Sequence, residues 1–144
     1  MAFFVAIAVF GIDRLTKLAV LGLLDQRGSV KIIPGLFDLT LVLNDGAAFG
    51  LFKGKAVFFI FISTVVIAAI LLYVLKNRGA GLLVSSALGL VLGGALGNLA
   101  DRIMFGRVVD FLDFQIWPVF NIADSCITIG AVILAYSFLF KRSG

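Results

Sequence analysis

Residues 56–75, AVFFIFISTVVIAAILLYVL, and residues 80–100, AGLLVSSALGLVLGGALGNLA, contain no charged side chain and are separated only by Lys-Asn-Arg-Gly. A bilayer core about 30 Å thick takes roughly 20 apolar residues in a helix. Each stretch is therefore long enough for one span, and the link suits a tight return between them. Outward from this pair, residues 119–140 are apolar apart from Asn121 and Asp124 near their start and run into Lys-Arg-Ser-Gly. Residues 1–24 form a fourth apolar stretch, interrupted by Asp13, Arg14 and Lys17. A cleaved signal peptide fits this segment poorly: it has no positive n-region, and an apolar run follows the charges without a small-x-small site. The expectation is an all-α integral membrane protein of one domain over residues 1–144, with four transmembrane helices at about 1–24, 56–75, 80–100 and 119–140.

Composition agrees. The 144 residues are 62% hydrophobic and 14% charged, with a mean hydropathy of +1.18; soluble domains are about 45–50% apolar and about 25% charged. All eight acids are Asp, and there is no His and one Cys, Cys126. These absences exclude Ser-His and Cys-His catalytic pairs, HExxH zinc sites and an intrachain disulfide. The pI of about 9.6 comes from Lys and Arg scattered singly or in pairs, which argues against nucleic acid as a partner. Cys126, with no basic neighbour to activate it, reads as a packing residue.

The 76–79 link and the 141–144 tail hold four positive residues and no acid, whereas residues 25–55 and 101–118 mix their positives with six Asp. The positive-inside rule then puts both termini in the cytoplasm. Residues 25–55 are too long for a simple connector. Within them Pro34-Gly35 reads as a turn, residues 36–43 are rich in strand formers, and Asn44-Asp45-Gly46 breaks the run. A small extracytoplasmic β-element over about 25–55 follows.

Ionisable groups inside a membrane cost about 2.5–3.5 kcal/mol each at a helix centre, so their positions carry information. Asp13 and Lys17, spaced i,i+4, share a helix face and can pair. Gly89, Gly93 and Gly97 form a small-residue stripe suited to close helix packing. Asn98 and Asp101, then Asn121 and Asp124, repeat an i,i+3 spacing near the outer ends of two spans. Asp124 has no cation of its own segment nearby and must be protonated or hydrogen-bonded. Asp110, in the loop before the last span, can reach the same depth. A carboxylate pair in which one member holds a proton and the other acts as base can activate water on a peptide carbonyl. Spacing alone leaves Asp101 and Asp113 as rival members of such a pair.

Five ordered blocks resemble the lipoprotein signal peptidases (signal peptidase II), bacterial membrane aspartyl proteases. They are Asp13-Arg14-Leu15-Thr16-Lys17, Asn44-Asp45-Gly46-Ala47-Ala48-Phe49-Gly50, and Gly94-Ala95-Leu96-Gly97-Asn98-Leu99-Ala100-Asp101-Arg102. Gly106-Arg107-Val108-Val109-Asp110-Phe111 and Phe120-Asn121-Ile122-Ala123-Asp124-Ser125 complete the set. The resemblance implies four transmembrane helices, an extracytoplasmic β-cradle and a catalytic dyad of Asp110 and Asp124 near the outer face of the bacterial inner membrane. It implies cleavage of a lipid-modified prolipoprotein just before its diacylglyceryl Cys, without metal or cofactor. Asn44, Asn98, Arg102 and Asn121 match substrate-binding positions, while Asp13, Lys17 and Asp101 match supporting ones. Residues 46–52 match a mobile loop. Membrane lipids and the substrate are the expected partners, and a monomer the expected state. The thirteen residues between Asp110 and Asp124 are a short version of the family's connection. The rival reading is a small proton- or ion-coupled transporter relaying protons through Asp13, Asp101 and Asp124. Against it stand the lack of an internal repeat and the gathering of polar residues at one face.

Overall fold

The computed structural model describes residues 1–24, 28–46, 54–77 and 79–140. The expectations attached to Asp25, Arg78, residues 47–52 and the 141–144 tail lie outside them. The elements are α1 (Ala2–Leu24), β1 (Ser29–Ile33), β2 (Phe37–Asn44), α2 (Ala56–Lys76), α3 (Leu82–Phe105), β3 (Val108–Asp113) and α4 (Ile122–Phe140). The described residues are thus mostly helical, with a small antiparallel sheet of order β1-β2-β3. By length and composition α2, α3 and α4 are apolar enough to cross a membrane. Helix α1 matches them in length but carries three charges.

Helix α3 is the hub and packs against α1, α2 and α4. Its small residues allow this. A Cβ added at Gly93 would lie 2.6 Å from the Ala6 carbonyl oxygen of α1, and one at Gly89 would lie 2.7 Å from Val5 Cβ. On α4, Gly130 plays the reciprocal part, with Ala87 O of α3 at 2.7 Å from its would-be Cβ. Any larger side chain at these positions would push the helices apart. By contrast, α2 buries only Ile67 and Ile70.

Two expectations change. Asp110 is on a strand: Val42 pairs with Asp110, Leu43 with Val109 and Asn44 with Val108. The β-element therefore recruits a third strand from the α3–α4 connection, which the sequence reading treated as loop. Helix α3 also continues past residue 100 through Asp101 and Arg102, because Asp101 is fully buried among partners instead of facing water. It stops where Gly106, at φ 70°, returns its N–H to the Arg102 carbonyl, a left-handed C-terminal stop that glycine adopts without a Cβ penalty. The expected Pro34-Gly35 turn is present, closed by Leu36 N–H to Ile33 O at 3.0 Å with Gly35 at φ 75°. Val20 and Leu24 at the end of α1 pack with Phe111, seating the sheet on that end of the bundle.

Candidate active site

Asn121 immediately precedes α4 and caps it: its Oδ1 accepts the Asp124 N–H at 2.9 Å, satisfying one of the free amides of the first helical turn. The same side chain faces the sheet. Its Nδ2 donates to Asp110 Oδ1 at 2.6 Å and to Asn98 Oδ1 at 3.1 Å. Asn98 in turn donates to Asp124 Oδ1 at 2.7 Å. One amide pair thus ties together the strand carrying Asp110 and the helix carrying Asp124.

The second oxygen of Asp110 accepts Asn44 Nδ2 at 2.9 Å. Asn44 lies two residues beyond Val42, the register partner of Asp110, so strand alternation puts it on the same face. Its own Oδ1 accepts the Gly46 N–H at 2.9 Å, fixing the amide orientation. Asp110 is 2% exposed. Burial, reinforced by the nearby Asp124 carboxylate, pushes its pKa up to about 7, while the Asn44 and Asn121 hydrogen bonds and the Lys17 charge pull it back.

Asp110 and Asp124 open onto one cleft of about 760 Å³, shared with Asn44, Gly46 and Arg102. The Arg102 guanidinium lies over the Phe59 ring, 4.8 Å from its centroid, and reaches the Gly46 carbonyl at 3.5 Å. Apart from Ser125 and Thr128 the rest of the wall is apolar, including Phe114, Trp117, Val119 and Ile127. Asp101 and Asp113, the rival carboxylates, do not line it. Asp113 instead accepts Thr40 Oγ1 at 2.8 Å at the far end of β3.

Asp13, Lys17 and Asp101 form a separate buried cluster, each with no exposed surface. Lys17 Nζ pairs with Asp13 Oδ2 at 2.9 Å and Asp101 Oδ2 at 2.8 Å and donates a hydrogen bond to Asn98 Oδ1 at 3.0 Å. Asn98 belongs to both clusters. The expected i,i+4 pair of Asp13 and Lys17 is therefore present, with Asp101 as a third member.

The profile described as Signal peptidase (SPase) II matches residues 5–140. The lipoprotein signal peptidase of Halothermothrix orenii is 50% identical over 93% of this chain and 92% of its own length. That of Pelotomaculum thermopropionicum is 48% identical over 95% and 90%. The chain belongs to the signal peptidase II family. Two solved structures described as bacterial membrane enzymes share the fold. One has a TM-score of 0.89 at 35% identity, over 99% of this chain and 89% of that one. The other has 0.86 at 34%, over 99% and 94%. This signal peptidase II family member is therefore a peptidase and a multi-pass membrane protein.

Arg14 escaped the sequence reading as a site residue, although it pairs with Asp101. A charge in an apolar span was signal enough, because Arg14 costs as much to bury as Lys17. The aromatic cleft wall was missed for a different reason: Phe114 and Trp117 sit in a connection whose shape follows from β3.

Proposed function

We propose that this signal peptidase II family chain removes signal peptides from diacylglyceryl-modified prolipoproteins, as an aspartic endopeptidase whose dyad is Asp110 and Asp124. The carrying observation is that these two carboxylates, and no other Asp among the described residues, share the cleft and are bridged by Asn98 and Asn121. Charge balance supports the chemistry. The buried carboxylates Asp13, Asp101 and Asp110 and the half-buried Asp124 face the cations Arg14, Lys17 and Arg102, four acids against three cations, which favours one proton held on the dyad. The ionised Asp takes a proton from water as the water oxygen bonds to the scissile carbonyl carbon, and the protonated Asp gives its proton to the carbonyl oxygen. Collapse of the resulting diol breaks the C–N bond as the leaving nitrogen is protonated, freeing the lipidated Cys as a new N-terminus. Asn44 and Arg102, which line the cleft, hold the substrate backbone, the buried amides of Asn98 and Asn121 orient the dyad instead of meeting substrate, and the apolar wall takes side chains from the signal peptide.

The setting follows from the same charges. Asp13 and Lys17 turn inward, while Phe4, Ile7, Leu15 and Leu18 of α1 face outward, so α1 serves as a fourth span in a single membrane domain. Both termini lie in the cytoplasm, and the sheet and dyad lie at the outer face, where lipid tails of the substrate rest in the bilayer. The chain acts as a monomer among membrane lipids. The test is cleavage of a synthetic prolipoprotein peptide by purified protein, with products weighed by mass spectrometry. Scission before a diacylglyceryl Cys, and none with an unmodified Cys, is expected. Equal cleavage of both contradicts the assignment.

A further inference from the structure

Two backbone hydrogen bonds outside the cleft follow one pattern. The amide of Ala123, one residue before Asp124, donates to Asp13 Oδ1 at 3.0 Å. The amide of Val109, one residue before Asp110, donates to Asp101 Oδ2 at 3.2 Å. Ala123 lies in the first turn of α4, where amides have no partner within the helix; Asn121 takes the one at Asp124, and Asp13 reaches across from α1 to take this one. Lys17 sits between the two acceptors, bonded to Asp13 and Asp101 alike. Gly97 provides the room, because a Cβ there would clash with Asp13 Oδ2. The third glycine of the α3 stripe thus differs from Gly89 and Gly93: it makes space for a carboxylate and not for a neighbouring helix backbone.

We propose that Asp13 and Asp101 are positioning residues, a matched pair of amide clamps that fix the backbone bearing each dyad carboxylate, with Lys17 setting their separation and Gly97 admitting Asp13. This rests on the dyad reading above. A clamp acts through geometry, so moving the acceptor should slow the chemical step even when every charge is retained. An ångström of misplacement at a reacting group costs up to about 100-fold.

Asp13→Glu and Gly97→Ala each keep all charges but displace the acceptor. With the folded, monodisperse protein and a diacylglyceryl prolipoprotein peptide, both should lower kcat about tenfold to 100-fold while KM stays within about threefold. Hydrogen exchange at Ala123 should speed up while the interior of α4 stays protected. Wild-type kcat in both variants, or a loss carried by KM alone, overturns the proposal. Should neither variant fold, exchange in the wild-type protein decides: Ala123 and Val109 as protected as the α4 interior supports the clamps, and rapid exchange at either overturns them. Asp124→Asn separates the two levels. If it remains active, the dyad reading fails; if it is dead while Asp13→Glu and Gly97→Ala behave as wild type, only the clamps fail.

Discussion

Two carboxylate pairs are joined by one amide, Asn98, and they are solvated in opposite ways. Asp13 and Asp101 are met by the cations Lys17 and Arg14. Asp110 and Asp124 are met by the neutral donors of Asn44, Asn98 and Asn121 and open onto a cleft. Neutral donors stabilise a carboxylate without committing it to the ionised form, so the second pair keeps a proton to exchange. Full ion pairing makes the first pair rigid and chemically idle. The same residue type thus serves for structure or chemistry according to whether cations or amides surround it.

Breaking the first pair should cost the most stability. Lys17→Met leaves two buried carboxylates short of a counter-charge and should destabilise by about 3–5 kcal/mol, visible as a large loss of folded protein on heating in detergent. A melting curve close to wild type would mean that Arg14 alone suffices.

The second pair should show itself through pH. The Asp110 pKa of about 7 lies above its ordinary 3.8, so the folded state binds this proton more tightly than the unfolded chain does. That contribution is complete below about pH 4 and is lost as pH rises through 7, at most about 4 kcal/mol in all. Asp110→Asn should flatten this part of the stability–pH curve, measured as thermal midpoints from pH 4 to 8. Parallel curves for variant and wild type would place the titration elsewhere. Turnover should likewise fall above about pH 7.

Asn121→Ala removes a helix cap, costing about 1 kcal/mol, together with the donor to Asp110. We expect a kcat loss on the order of 100-fold with modest loss of melting temperature, so that activity and stability separate; loss of both in proportion would make Asn121 a structural cap only. Cys126→Ser marks the lower limit: the thiol is half-buried, and the change should stay under about 1 kcal/mol with kcat unaltered. A dead Cys126→Ser variant would break the assignment of chemistry to aspartate.

Much of this was legible in the sequence. Unbroken apolar runs gave α2 and most of α3, and the i,i+4 spacing of Asp13 and Lys17 gave their pairing. The i,i+3 spacings of Asn98 with Asp101 and of Asn121 with Asp124 flagged residues that the structure does put near one another. Strand β3 was not legible, because Val108–Asp113 becomes a strand only by pairing with β2, more than 60 residues earlier. The end of α3 was hidden because Asp101 and Arg102 look like a surface terminus until Arg14 and Lys17 arrive from another helix. Spacing reports which face a residue shares within its own element. It is silent on which cation a distant helix brings, and that decides which aspartates are free for chemistry.

The most direct test compares turnover of a diacylglyceryl prolipoprotein by folded Asp110→Asn and Asp124→Asn proteins with that of wild type. Each substitution should lower kcat by at least the 10²–10⁴-fold that general acid–base catalysis supplies, with the protein still inserted and monodisperse. Activity within tenfold of wild type in either variant would contradict the division of the aspartates into a reactive pair and a structural one.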